Sequence, residues 1–304
     1  PEALAGEKFM TTAYEKHSYR NPIIGRMKDL ESITVKDLRD WYRRFYTPAN
    51  AILVVAGDVK PNEVFALAKK YFGPVPAAPP VKSTELVEPP QKSERRVRVS
   101  LPAEVPYLLL GYHVPVHASA GRDGIAEWEP YALSILGGVL DGGQASRFKR
   151  ELVREKKIAS NIDVDYSATS RSPTLLTIEA TPANSHTADE TEKAIRQQIE
   201  RLRNELVTAE ELKRVKAQVV AGNVYARDSV FYQAMQVGRL AMSGLDLSLA
   251  DERVKRINAV TAEQVMTVAK KYLTDNNLTV AVLDPLPIDK TKAPRRASGG
   301  HGHG

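Results

Sequence analysis

Apolar residues recur at helical spacing along much of this chain. Leu38, Trp41, Tyr42 and Phe45 follow Thr34-Val35-Lys36-Asp37. Thr34 can accept a backbone N–H of the first turn and Asp37 can reach back, so a helix starts there. Trp41, Tyr42 and Phe45 are expected in its core-facing stripe. Pro61–Tyr71 has the same period, with Val64, Leu67, Ala68 and Tyr71 on one face. Short apolar runs read as strands: Ala51–Val55, stopped by Gly57-Asp58, then Arg96–Ser100, Tyr107–Val114, Ile162–Thr169 and Thr174–Ala180. Helices are expected from Glu129 to Leu140, with Pro130 in the first turn, and through Arg147–Lys157. Thr187-Ala188-Asp189-Glu190 and Thr208-Ala209-Glu210-Glu211 are capping boxes that open two more. Arg227-Asp228-Ser229 reads as a junction between helices. The first residues, from Pro1 to Met10, begin in mid-pattern, as if cut from a longer helical region.

The chain also resembles itself. Ile33–Asp58 lies over Val260–Pro285 without a gap: Thr34 on Thr261, Phe45 on Tyr272, Asn50 on Asn277, Leu53-Val54-Val55 on Val280-Ala281-Val282. Each copy reads as a Thr-capped helix, a polar turn with Asn and an apolar strand. Two readings stand: coincidence of two common local motifs, or two duplicated domains joined by a linker. Residues 74–92 hold six of the 19 prolines, and such a segment is extended and semi-rigid. The expected division is therefore 1–73, the end of a first domain; 74–95, a Pro-rich linker; 96–285, a second domain; and 286–304, a disordered tail. The expected fold class is α+β, with two homologous domains, each an antiparallel sheet packed with helices, the first truncated.

Composition narrows the chemistry. The 304 residues contain no cysteine, which excludes disulfides, thiol catalysis and Cys-ligated zinc. The formal charge is +6, but Lys290, Lys292, Arg295 and Arg296 against Asp289 place half of that excess in the tail. The folded part is close to neutral, which argues against nucleic acid. No apolar run approaches the ~20 residues that a membrane span needs.

Three segments resemble the M16 metallopeptidases. His17-Ser18-Tyr19-Arg20-Asn21-Pro22-Ile23-Ile24-Gly25 is similar to that family's H-P-Y-x-x-P-I-I-G loop. Tyr46-Thr47-Pro48-Ala49-Asn50-Ala51, with Val54-Val55-Ala56-Gly57-Asp58-Val59, looks like its Y-x-P-x-N-x…V-x-G-D-V run. Asp141-Gly142-Gly143-Gln144-Ala145-Ser146-Arg147-Phe148, then Leu152-Val153-Arg154-Glu155-Lys156, resembles G-G-x-S-S-R-L…L-R-E-K. The resemblance covers about residues 1–285 and implies a zinc peptidase whose metal is held by H-x-x-E-H and a downstream Glu in the first domain.

None of the six histidines sits in H-x-x-E-H. His113 and His117 have the outer spacing, but Pro115 opposes the helix that two ligands one turn apart require. The family motif would lie upstream of Pro1, so no metal site is expected here and zinc is expected only in a parent protein. The family also holds the substrate carbonyl with an Arg and a Tyr of the second domain. Arg154 matches that Arg; the alternative is a solvated charge at a helix end. The Tyr position falls on Ser160 or Asn161, and Tyr166 is out of register. Gly142 and Gly143 read first as a turn, with peptide contact as the alternative. His17 reads as a loop-ordering side chain, and Asp163 and Asp165 as solvated carboxylates on one strand face. His301-Gly302-His303 reads as tail.

The resemblance thus implies part of a peptide-hydrolysing zinc enzyme that closes two domains around its substrate, this chain being inactive alone. The other reading is a non-catalytic homologue serving as partner subunit or scaffold. The expected partners are peptide substrate and a further M16 chain, as a homo- or hetero-dimer. The expected compartment is the periplasm.

Overall fold

The structure, a computed structural model, describes residues 1–76, 79 and 86–288. Part of the expected linker and nearly all of the expected tail, with His301 and His303, lie outside the described residues. The helices are α1 (Glu2–Ala13), α2 (Met27–Ser32), α3 (Val35–Phe45), α4 (Pro61–Phe72), α5 (Glu129–Asp141), α6 (Ala188–Asn204), α7 (Ala209–Arg227), α8 (Val230–Met242), α9 (Leu249–Ala259) and α10 (Ala262–Tyr272). The strands are β1 (Arg95–Pro102), β2 (Tyr107–Val114), β3 (Ala159–Asp165), β4 (Thr174–Pro182) and β5 (Leu278–Leu286).

The strands form one sheet in the order β1-β5-β2-β4-β3. All pairs are antiparallel except β1 with β5, which is parallel. This corrects the expectation of two homologous sheet domains: among the described residues there is a single α+β domain on one mixed sheet. Strand periodicity divides the core in two. Leu108, Leu110, Tyr112, Leu176, Ile178, Val280 and Val282 face α5, α6 and α10. Leu109, Leu175 and Ala281 face the other way, onto Phe9, Ala13 and Tyr14 of the N-terminal region. Gly111 permits that second contact, because a Cβ there would stand 2.5 Å from Phe9 Cζ.

The end of α1 is fastened by the side chains of Glu88 and of Arg95 in β1. Arg95 Nη1 donates to Ala13 O at 2.8 Å and Thr12 O at 3.2 Å. Glu88 accepts the backbone N–H groups of Glu15, Lys16 and His17 at 2.6–2.8 Å. Burial raises the Glu88 carboxyl, but these donors outweigh it and hold it below the ordinary range. His17 Nδ1 accepts from Tyr19 N, so His17 orders its loop.

The internal similarity exists as local structure. Helices α3 and α10 occupy equivalent positions, and each opens with a full capping box, Thr34/Asp37 and Thr261/Gln264. Each is followed by a 3₁₀ turn, Pro48–Asn50 and Asp275–Asn277. Asn50 Nδ2 donates to Phe45 O, and Asn277 Nδ2 to Tyr272 O, at 3.0 and 2.8 Å. The copies then diverge. Leu278–Leu283 is the buried start of β5, whereas Ala51–Ala56 forms no strand and leaves Ile52, Leu53 and Val55 exposed. A strand exists only where a neighbour takes its backbone groups, and no described segment pairs with 51–56. Trp41 and Tyr42 are likewise exposed, not core. Trp41 stacks on Phe45 and Tyr42 on Tyr46, with ring centroids 5.1 and 4.7 Å apart.

Candidate functional site

The turn after α5 brings Arg154, Gly142 and Gly143 together. Helix α5 ends at Asp141, and Gly142 N–H donates to Gly138 O at 2.7 Å. Gly143 follows at φ +78°, a left-handed conformation that favours glycine. A Cβ on Gly142 would lie 2.3 Å from Gly138 O. Gly138 itself is a close-packing position, because a Cβ there would meet Val215 Cγ1 of α7 at 2.5 Å. Helix α7 also fixes the turn: Arg214 Nη1 and Gln218 Nε2 donate to Gly142 O at 2.7 and 3.0 Å.

The next element is the π-helix Phe148–Glu155, a rare winding that recurs at functional sites. Phe148 and Leu152 bury its inner side. Buried Arg147, at its start, donates from Nε and Nη2 to Glu211 at 2.7 and 2.9 Å. Arg154, in its last turn, is exposed. Its Nη2 donates to Gln144 O in the glycine turn at 2.9 Å, and it has no ion pair among the described residues. The neighbouring charges do pair: Arg150 with Glu151, and Arg201 with Glu151.

Beside this turn runs edge strand β3. Ser160 Oγ donates to Thr181 O. Lys149 Nζ donates to Asn161 Oδ1 and Asp163 Oδ1, both at 3.0 Å, and stands 3.6 Å from Asp141 Oδ1. Asp141 Oδ2 accepts from Val164 N at 3.0 Å. Burial raises the Asp141 carboxyl above its ordinary value, although Val164 N–H and Lys149 oppose the rise. Tyr166 is directed elsewhere: its hydroxyl is buried, donates to Pro115 O at 2.7 Å, and is pushed up by that burial. Asp163 is thus half of a lysine contact, while Asp165 is solvated as expected. The role of Lys149 was not legible, because its partners lie 12 and 14 positions away on another element.

No metal centre fits these residues. Among the described residues, no group of three or more His, Asp or Glu could hold a metal ion. His113 sits on β2, with Nε2 against Ala13 O, and His117 packs at a tilt against Tyr131. The two imidazoles serve different cores. No helix of the described residues is long and apolar enough to cross a membrane.

Residues 32–219 match the family model described as the peptidase M16 inactive domain. A curated relative, zinc protease PqqE of Helicobacter pylori, is 33% identical over 156 residues, which is 50% of this chain and 33% of that protein. The crystal structure of a protease from Helicobacter pylori is similar over 94% of this chain and 67% of that one, at TM-score 0.86 and 25% identity. The periplasmic protease PqqL from Escherichia coli shares the fold at TM-score 0.71 and 18% identity, over 94% of this chain and 31% of that one. The chain spans from one third to about two thirds of the length of the curated relatives it matches first.

Proposed function

The chain belongs to the M16 peptidase family, where it matches the inactive domain, and from that premise we propose that it orients peptide substrate for a zinc metalloendopeptidase whose metal is bound outside these residues. One observation carries the reading. Arg154 is an exposed guanidinium with no ion pair among the described residues, aimed by a backbone carbonyl of a rigid glycine turn. One N–H is spent on Gln144 O, and the remaining donors face outward for a peptide carbonyl or the negative charge that develops on it. Gly142 and Gly143 form the turn that carries the Gln144 carbonyl holding Arg154, and are the proposed peptide-contacting segment beside it. The described side chains do not fit zinc. Residues 74–95 are the proposed linker between the two parts of the parent, 286–304 its tail, a second M16 chain its partner, and the periplasm its compartment, the last supported by the likeness to PqqL.

The test is Arg154→Ala and Arg154→Lys in the full-length protein, read on a fluorogenic peptide. Loss of one charge-assisted contact in the transition state lowers kcat/KM by about 10²–10³, with the unfolding midpoint unchanged. Equal activity in all three proteins would remove the role of Arg154.

A second reading is favoured by Ser160 and Asn161. Both lie on β3, the resemblance puts the family's Tyr position on one or the other, and neither side chain offers a phenol. In that reading the protein is a non-catalytic subunit or scaffold. Chelator-sensitive cleavage by the purified full-length protein excludes it; absence of cleavage until a second M16 chain is added supports it.

A further inference from the structure

Helix α8 stands beside the tip of the β3–β4 hairpin and encloses a cavity of about 590 Å³. Ligand pockets fall in the range of ~300–1,000 Å³. The floor is aromatic and aliphatic, with Tyr131, Tyr166, Leu240 and Ile257. Phe231 and Met235, both exposed, form part of the rim. The wall is secured, because Ser243 Oγ just beyond α8 donates to Thr169 O of the hairpin at 2.8 Å.

Two arginines line this cavity, Arg239 from α8 and Arg253 from α9. Both are exposed, and neither has an ion pair or a side-chain hydrogen bond among the described residues. The other arginines of α7, α8 and α9 are engaged: Arg214 with Gly142 O, Arg227 with Asp251, and Arg256 with Glu252 and Glu127. The acidic lining residue is Asp165, so two guanidiniums face one carboxylate. His117 adds an imidazole with no side-chain hydrogen bond, its ring centroid 4.5 Å from that of Tyr131. Burial and the Arg253 charge keep it neutral down to about pH 4.

We propose that this cavity binds a carboxylate carried on an aromatic or branched aliphatic group, presented as the C-terminal residue of a peptide. Arg239 and Arg253 hold the carboxylate, for which the planar guanidinium fork is suited. The Tyr131–Tyr166–Ile257 floor takes the side chain. The half-polar lining and modest volume match a short peptide end rather than a long acyl chain. The cavity shares no lining residue with the Arg154 turn, and the proposal stands independently of peptide hydrolysis.

The test titrates the chain with acetyl-alanyl-phenylalanine, its C-terminal amide, and decanoate, by calorimetry and amide chemical shifts. The acid is expected to bind saturably, with shifts centred on Tyr131, Tyr166 and Arg253, and the amide at least tenfold more weakly. Arg239→Gln and Arg253→Gln should each weaken the acid about tenfold and leave the amide unchanged. Thermal melts of these surface variants should overlay the parent chain. The proposal is overturned if acid and amide bind alike, if the double variant binds the acid as before, if no saturable shifts arise, or if decanoate binds more tightly than the peptide acid.

Discussion

Arg147 and Glu211 meet across 64 positions of sequence and join the start of the π-helix to the first turn of α7. Burial raises the Glu211 carboxyl, but the Arg147 fork and the Thr208 N–H overcome it and hold it near 2. The unfolded chain therefore takes up this proton before the folded one as the pH falls. The stabilisation is complete above about pH 4.5, the ordinary carboxyl value, and is lost as the pH approaches 2. Arg147→Met leaves the half-buried Glu211 carboxylate with the Thr208 N–H but without its ion pair and should cost about 3 kcal/mol at pH 7, measured by urea unfolding. Glu211→Gln should flatten the acid limb of the stability profile between those two values. A profile that keeps its slope in Glu211→Gln would assign the acid sensitivity elsewhere. Gly138→Ala should cost about 1–3 kcal/mol by overpacking against Val215; an unchanged denaturation midpoint would mean that α5 and α7 slide apart freely.

At the scale of elements, the two helix–turn–strand copies separate local from non-local information. Thr34, Asp37 and Asn50 act within five positions of their partners, as do Thr261 and Gln264, while Asn277 donates to both Tyr272 O nearby and His113 O far away in sequence. The caps, the helix limits and the Asn turn were therefore legible in the residues themselves. Whether the apolar run became a strand was not, because β5 exists through β1 and β2, far away in sequence. The same limit explains Trp41 and Tyr42, whose helical stripe is present but meets no core. It explains the candidate site too. The glycine turn and the position of Arg154 could be read from residues 141–154, whereas the Lys149–Asp163 contact and the α7 donors to Gly142 depended on packing. The π-helix gave no signal, since its apolar spacing is close to that of an α-helix.

Ala51–Ala56 is an apolar segment that pairs with no strand among the described residues, a pattern that invites edge-to-edge association. Leu53→Lys should leave the melting temperature within experimental error, since Leu53 is exposed. It should also lower the rate of aggregation on mild heating, followed by light scattering. Aggregation at the parent rate would show that another surface drives association.

For the molecule as a whole, α1 is the element that turns a one-sided sheet into a three-layer domain. Phe9 fills the space that Gly111 leaves, and Ala13 and Tyr14 complete the second core. Phe9→Ala should cost about 3–5 kcal/mol and raise amide exchange first in the strands beneath it, β1, β2 and β5. Protection that falls uniformly over the domain would show that the α1 layer does not open separately.

Strand β5 lies between β1 and β2 but follows β1 by about 180 residues. At roughly 5–20 residues per second of synthesis, the ribosome makes β1 some ~10–40 s before its inner neighbour. Until β5 emerges, β1 and β2 have no bridge between them, and Leu108, Leu110 and Tyr112 lack the Leu278–Val282 half of their core. Birth of this domain is thus gated by its last strand, and the waiting chain offers chaperones a long-lived apolar surface.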